Sequence, residues 1–365
     1  MLSGRVYLAL CSEYKAEIIA ESLRQGLTAL NLEKAVKSGD RVLLKPNLIM
    51  AKAPELAVTT HPEIVRAVAM VLKNCGARLY LGDSPGFGSL ENCLEKSGLM
   101  TVMRDMDITM VSFADENTIA EPENLVAKKL TLAKAAFDYD KIINLPKLKT
   151  HSMMGTTLAV KNLFGFIPGL RKAKWHLRAG HDRYLFARVI LDIYQQVVPT
   201  WNFLDAITGM EGDGPTGGTP RHCGLLALSA DAPLLDFMVE KWIGYPEITP
   251  LSREALSLGW LPDENLHACG SAVSDPLYPV IKPAKGANQA TFPGQRLWRR
   301  IFIRRPVITR YRCHRCLVCV QHCPAQAMKL VDDKIVIDYK RCIRCYCCQE
   351  LCPYGAVRVS YGFGR

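Results

Sequence analysis

The 365-residue sequence has no long hydrophobic run. No stretch reaches about eighteen consecutive apolar residues, which excludes a membrane-spanning helix. Basic residues are few at the start: Met1–Glu17 holds one Arg ahead of a short apolar run that breaks at Ser12-Glu13. That pattern makes a poor signal peptide and a fair first strand, and the expected compartment is the cytoplasm. Aromatic residues are sparse at 8%, but hydrophobic residues at 49% and charged residues at 22% are ordinary globular values. Bulk disorder is therefore excluded, and the length suits two or three domains.

Several catalytic signatures are absent. Neither G-x-x-x-x-G-K-[ST], G-x-S-x-G nor H-E-x-x-H occurs, which removes P-loop, nucleophile-elbow and zinc-protease chemistry. Gly82-Asp-Ser-Pro-Gly86 is no dinucleotide fingerprint, because Pro85 interrupts the helix start that motif needs. Gly209–Gly218 is glycine-rich but acidic, which repels phosphate; it reads as a turn or lid with a candidate cation site at Glu211 and Asp213.

Negative charge is missing from two segments. Between Leu277 and Leu330 stand eleven Lys or Arg and no acid; between Lys141 and His181 stand eight more, again with none. The formal net charge is +11, so the remaining 27 bases and 35 acids leave the rest of the chain at −8. Positive charge concentrated this way attracts anionic partners or substrates. No recognised nucleic-acid module accompanies it, so Trp298 and Phe302 make a weak case for base stacking.

Residues 1–275 read as an α/β domain, with strands at Arg41–Lys45, Ala77–Leu81, Lys141–Leu145, Trp201–Ile207 and Gly224–Ser229. Helices are expected over His61–Gly76, Ser89–Gly98, Asp182–Val198 and Pro233–Ile243, with a loop and then an apolar helix from about Thr157. Alternating strands and helices predict a mostly parallel sheet with helices on both faces. Residues 276–309, rich in Pro, Gly and Arg, read as a basic linker, and 310–365 as a small ferredoxin-like α+β module.

Nine of the fourteen cysteines crowd between Cys313 and Cys352, an arrangement unlike a disulfide scaffold. Cys313-His-Arg-Cys316-Leu-Val-Cys319-Val-Gln-His-Cys323-Pro324 recurs 29 residues later as Cys342-Ile-Arg-Cys345-Tyr-Cys-Cys348-Gln-Glu-Leu-Cys352-Pro353. Each copy resembles the C-x₂-C-x₂-C-x₃-C-P run of bacterial two-cluster ferredoxins across roughly residues 310–360. The resemblance implies two 4Fe-4S clusters and low-potential one-electron transfer. Cys313, Cys316, Cys319 and Cys352 would hold one cluster, and Cys342, Cys345, Cys348 and Cys323 the other. Zinc knuckles seldom use three ligands at this spacing. Cys347 has no place in the motif and reads as a packed thiol; His314 and His322 read as surface residues or neighbours of the ligands. Met328–Asp338 should form a hairpin around Asp332-Asp333.

Candidate ligand-binding groups fall after the predicted strands, where open parallel sheets bind ligands. They are Lys45, Asn47, Asp83, Ser84, Lys147, Lys149 and His151, with Lys161 on the following helix; Lys147, Lys149 and Lys161 suit a carboxylate or phosphate. Met153, Met154 and Trp175 read as packing. Leu44-Lys-Pro-Asn-Leu48, Gly82-Asp-Ser-Pro-Gly86, Asn144-Leu-Pro-Lys-Leu-Lys-Thr-His151 and Ala159-Val-Lys-Asn-Leu-Phe-Gly165 resemble landmarks of domain-of-unknown-function family 362, whose members often carry a ferredoxin-type tail. That resemblance implies an iron-sulfur redox protein and supplies no substrate or catalytic residue.

Two functions follow as expectations. One is a ferredoxin-linked oxidoreductase, of the kind used in anaerobic metabolism, passing electrons to a small anionic substrate at the basic strand edge, with His151 as proton source. The other is a non-catalytic electron carrier whose large domain docks a partner oxidoreductase. In either case the positive charge suits an acidic redox partner, a ferredoxin or flavodoxin, with Arg299, Arg300, Arg304 and Arg305 as its steering charges. Anaerobic reconstitution should give about eight iron and eight sulfide per chain; about four iron, or bound zinc without a visible chromophore, would remove the two-cluster assignment.

Overall fold

A computed structural model describes residues 5–120, 126–169, 171–180, 182–261, 267–273, 280–284 and 302–363. Ten strands form one mixed sheet in the order β12-β1-β11-β10-β7-β2-β3-β4, with β8 and β9 attached beside β10. These are β1 (Arg5–Leu10), β2 (Arg41–Pro46), β3 (Arg78–Leu81), β4 (Thr109–Met110), β7 (Lys141–Leu145), β8 (Lys147–His151), β9 (Gly155–Thr157), β10 (Trp201–Glu211), β11 (Thr219–Ser229) and β12 (His267–Cys269). A separate ribbon pairs β5 (Glu116–Ala120) with β6 (Lys129–Ala133). The pairs β1–β12, β10–β7, β10–β8, β2–β7, β2–β3 and β3–β4 are parallel. Antiparallel pairing is confined to β11 against its two neighbours and to the β8–β9 hairpin.

Both faces of the sheet are covered, which is why its strands carry continuous apolar runs. Along β2, Leu43 packs into one core while Val42 and Leu44 pack into the other; along β10, Leu204 and Ala206 oppose Trp201 and Phe203. The first core is closed by α5 (Ala159–Asn162), α7 (Arg183–Gln196), α8 (Ala232–Trp242) and α9 (Pro250–Ser257). The second is closed by α1 (Ala16–Ala29), α2 (Pro62–Asn74) and α4 (Leu99–Asp105). Two further helices, α3 (Leu90–Lys96) and α6 (Arg171–Ala179), flank the carboxyl edge of the sheet. Helix starts carry the capping chemistry their sequences suggest: Asp182 accepts from the Tyr184 and Leu185 amides, and Asp231 from that of Leu234. Met153, Met154 and Trp175 lie in the core. None of the described helices is long and apolar enough to cross a membrane.

Three local expectations need correction. Lys147–His151 is a fully buried strand rather than a loop; its polar composition hid it, because the partners of those side chains, Asp205 for Lys147 and Asn47 and Val58 for Lys149, lie far away in sequence. The segment after Trp201 extends to Glu211 and turns back as β11. Its Glu211 receives the Lys282 amide and stands near Lys282 and Arg221, so it is a structural anchor rather than a cation ligand. Finally, the end of the expected linker is a strand. β13 (Phe302–Ile308) runs antiparallel to β16 (Val357–Phe363), which makes it an edge of the cysteine module. Arg305 sits over the Tyr339 ring at 4.1 Å, so it is not a free steering charge. Lys285, Arg296, Trp298, Arg299 and Arg300 lie outside the described residues, as does His181. The expected hairpin forms from β14 (Met328–Val331) and β15 (Lys334–Ile337), with Asp332 and Asp333 both at positive φ as its tight turn requires.

Asp205, in the middle of β10, ties this architecture together. Fully buried, it accepts from Tyr14 Oη at 2.8 Å, Lys147 Nζ at 2.8 Å and the His61 amide at 2.9 Å. Those partners come from the α1 approach, β8 and the α2 cap. Asp205→Ala should cost about 3–5 kcal/mol in denaturant unfolding, because it leaves Lys147 buried and unpaired. Lys147→Met combined with Asp205→Leu should recover much of that loss; no recovery would show that the acid acts mainly through Tyr14 and His61.

Candidate functional site

The lysines at the carboxyl edge meet different fates. Lys45 is fully buried and bonds Asp83 Oδ1 at 2.8 Å. Gly165 packs so tightly on this pair that any Cβ there would overlap both side chains. Lys147 is paired with Asp205. Lys149, equally buried, has no carboxylate: its ammonium donates to Asn47 Oδ1 at 2.6 Å and Val58 O at 2.7 Å. Asn47 in turn donates to Asn162, Asn162 to Asn144, and Asn144 to Asn202. This amide relay joins β2, α5, β7 and β10 and fixes where the Lys149 ammonium stands.

A cavity of about 290 Å³ opens beside that ammonium. Of the six residues expected to bind ligand, Asn47, Lys149, His151 and Lys161 line it, whereas Lys45 and Lys147 do not. Lys172 and His176 on α6 complete the basic wall. Lys161 is placed by α5, whose first amides, Ala159 and Val160, donate to the buried Asp236 carboxylate at 2.7 and 3.0 Å. Its ammonium lies 4.7 Å from the Phe164 ring centroid. Lys172 bonds the Ser84 hydroxyl at 3.0 Å and also its carbonyl.

The opposite wall belongs to the cysteine module: His322, Cys347, Glu350 and Leu351. The module is seated by hydrogen bonds from Thr216 Oγ1 to Glu350 O, Gln349 Nε2 to Asp213 O, and Lys52 Nζ to Pro353 O. The Gly209–Gly218 turn is thus a docking element. His151 Nε2 and Glu350 Oε1 approach to 3.1 Å. His151 Nδ1 accepts the Met153 and Met154 amides, which commits it as an acceptor. Burial lowers the His151 pKa, so the ring is neutral beside an ionised Glu350, and the expected role of His151 as a ready proton source is not supported. Thr157 Oγ1 and His176 Nδ1, both of lining residues, are buried without a hydrogen-bond partner, while His151 Nε2 and Glu350 Oε1 have only each other. Buried polar groups are nearly always satisfied, by protein or by water, so this wall of the cavity is a polar one.

The two cysteine repeats share one backbone form. Arg315 and Leu317 in the first, and Arg344 and Tyr346 in the second, all adopt positive φ. The Ala327 and Ala356 amides donate to Cys323 Sγ and Cys352 Sγ, both at 3.2 Å. Left-handed residues between cysteines turn successive thiols inward, and the strain at four non-glycine positions needs a compensating interaction. Cys313, Cys316, Cys319 and Cys352 line one common cavity. Burial pushes the Cys319 thiol up to about 11, with Cys352, Cys313 and Cys316 as its next influences. Cys348 is raised by burial and then by Cys345, Cys342, Cys319 and Cys323. Among the described residues, no three His, Cys, Asp or Glu side chains close on a point the size of a single metal ion. A donor set of soft thiols spread around a larger cavity fits a cluster better than zinc.

Residues 42–239, more than half of the chain, match the family described as domain of unknown function 362, and residues 305–353 match a 4Fe-4S dicluster domain. The chain belongs to the DUF362 family. A thylakoid-associated protein of Synechocystis sp. is 40% identical over 235 residues, covering 64% of this chain and 73% of the relative. Among solved structures, the lactate racemase apoprotein of Thermoanaerobacterium thermosaccharolyticum overlaps 67% of this chain at 12% identity and a TM-score of 0.44, and the chain spans 58% of its length. A Thermotoga maritima protein overlaps 57% of this chain and 53% of its own at 14% identity and a TM-score of 0.37. The dicluster tail makes this DUF362 protein an iron-sulfur protein with an electron-transfer role.

Sequence reasoning missed Asp205, Lys172, His176 and Glu350. Lys172 and His176 were detectable, since they stand four apart on a helix within the acid-free segment. Glu350 had no marker: it lies between two cysteines and acquires meaning only when the module docks.

Burial is the largest cause lowering the Lys149 pKa to about 7, followed by Lys161 and Lys147. Because the folded value lies below the ordinary 10.5, the unfolded chain binds more protons between about pH 7 and 10.5, and stability rises with pH across that window. Below about pH 7 the full cost of the buried charge is present. Lys149→Met should therefore gain stability relative to the parent as pH falls from 10 to 6, measured by denaturant unfolding. A difference independent of pH would mean that Lys149 is neutralised by a group other than Asn47 and the Val58 carbonyl.

Proposed function

We propose that the protein is a ferredoxin-linked oxidoreductase that passes electrons to a small anionic substrate held in the cavity between the DUF362 domain and the cysteine module. The observation that supports this reading is the cavity's composition. Lys149, Lys161 and Lys172 form one wall, the cysteine-flanked segment Cys347–Leu351 forms the other, and unpartnered polar atoms face between them. A docking domain for a partner enzyme has no need of a basic cavity set against the redox module.

In this reading Cys313, Cys316, Cys319 and Cys352 hold one 4Fe-4S cluster, and Cys342, Cys345, Cys348 and Cys323 hold the second. When bound, the clusters supply single electrons. The chain's own side chains do the rest. Lys149, fixed by Asn47, anchors a carboxylate or phosphate, while Lys161 and Lys172 neutralise its remaining charge. Phe87, Phe164 and Leu351 line the same cavity and exclude water from the bound substrate, which strengthens each charge-assisted bond. His176, neutral because burial pushes its pKa down to about 4, holds or receives a proton at Nδ1. Thr157 Oγ1 supplies a neutral donor.

The test is calorimetric titration of the anaerobic holo-protein with small carboxylates and phosphates, alongside the paramagnetic spectrum of the reduced protein. An anion should bind the parent, lose about tenfold or more of its affinity in Lys149→Met/Lys172→Met, and perturb the spectrum. Absence of binding, or binding indifferent to both lysines, would favour the carrier reading.

A further inference from the structure

The two cysteine repeats are alike in backbone and opposite in surroundings. In the second, Cys345 is 7% exposed, and Cys347, Gln349 and Glu350 are buried under the large domain. In the first, the equivalent Cys316 is exposed, as are His314, Arg315 and Gln321. One end of the module is thus covered by the substrate cavity, and the other faces solvent.

The exposed end has a specific character. Arg310, Arg312 and Arg315 surround the Cys313–Cys316 loop, and Lys329 and Lys334 extend the positive charge along the neighbouring hairpin. Asp333 pairs with Arg315, and Asp332 stands beside it, so five cations face two acids. Amid this charge lie apolar surfaces that a monomeric protein ordinarily covers. Tyr311 is 80% exposed, Tyr354 is 46% exposed and stacked on His314, and Leu330 and Val336 are 46% and 41% exposed. A basic rim around exposed aromatics matches the anatomy of a transient protein interface. Its residues are not the Arg299, Arg300, Arg304 and Arg305 that the sequence suggested as steering charges.

We infer that the surface formed by Arg310, Tyr311, Arg312, Arg315 and the His314–Tyr354 stack is the docking face for an acidic one-electron carrier protein. The cysteine set that includes Cys316 is then the one nearest the donor, and the set that includes Cys345 is the one nearest the cavity. The inference rests on the oxidoreductase reading only for the destination of the electrons; the docking itself is independent of it. Charge complementarity selects the occupant. An acidic carrier is attracted by the net positive rim, whereas a second copy of this chain, at +11 from its side chains and still about +7 with two oxidised thiolate-bound clusters, would be repelled.

The experiment uses the anaerobic holo-protein and a small acidic ferredoxin as the probe. Its Kd is measured by calorimetry at low and moderate salt, and cluster bleaching by the reduced probe is followed in stopped flow. Arg310→Glu/Arg312→Glu should weaken binding by about tenfold or more and flatten the salt dependence. Tyr311→Ala should weaken binding with the salt dependence retained. Lys15→Glu/Arg24→Glu, an equal change of charge around α1, should leave the Kd within about twofold. All these positions are exposed, and unchanged iron content would confirm intact folding. An unchanged Kd in Arg310→Glu/Arg312→Glu, or an equal loss in the α1 variant, would overturn the inference. Anion binding in the cavity and dithionite-driven turnover should be untouched by the docking variants. Failure of docking with those retained sinks only this surface; the converse pattern sinks the substrate site and leaves the surface standing.

Discussion

The least comfortable element of this structure is an ammonium group buried with no carboxylate beside it. Lys149 is held by one side-chain amide oxygen and one carbonyl, while its neighbours Lys45 and Lys147 each have an aspartate. Desolvating a charge without a counter-charge is among the more expensive arrangements in a protein interior. The surrounding fold exists in a form that tolerates it: a relay of four asparagines fixes the acceptor, Asp83 and Asp205 remove the competing positive charge, and a polar cavity lies alongside. Adjacent strands thus separate cations paired with carboxylates from one that has none.

That separation explains how an electron-transfer tail and a large α/β domain come to form one site. The domain supplies a wall bearing Lys149, Lys161 and Lys172, and the module closes it with a helical turn flanked by cysteines. Glu350 faces His151, His176 and Lys161 across the boundary, and the Lys161 charge with the neutral His151 Nε2 at 3.1 Å favours its ionised form despite its burial. It limits the positive field of the cavity and ties module to domain beside the second cysteine repeat. The module's internal repeat makes a second role available. Since both cysteine loops have the same geometry, covering one and exposing the other converts a symmetric unit into a directional one.

The order of strands also matters. In an open parallel sheet the carboxyl ends of the strands, where the chain leaves for the next helix, collect the loops that bind ligands. β2, β7 and the β8 extension bring Asn47, Asn144 and Lys149 to that edge, and α5 and α6 cover it from one side. Antiparallel β11 gives β10 a partner long enough to carry the Gly209–Gly218 turn out to the cysteine module.

The sequence by itself determined much of this. Continuous apolar runs separated by amphipathic segments imply a doubly covered parallel sheet, because burial on both faces leaves no other composition available. The repeated cysteine spacing identifies the iron-sulfur module, because thiolate ligation restricts spacing severely. The acid-free stretch from Lys141 to His181 marks the basic edge. The tertiary structure alone decided which of those bases matter. Lys45, Lys147, Lys149 and Lys161 look alike in the chain, and only the positions of Asp83 and Asp205, far away in sequence, distinguish them. The strand character of Lys147–His151 and of Phe302–Ile308 was hidden for a related reason: polar residues within a strand are legible as such only when their distant partners are known. The same holds for Glu350, whose role depends on a docking contact that no local pattern encodes. Local composition fixes which elements form, whereas charge pairing depends on distances between residues that only the folded chain brings together.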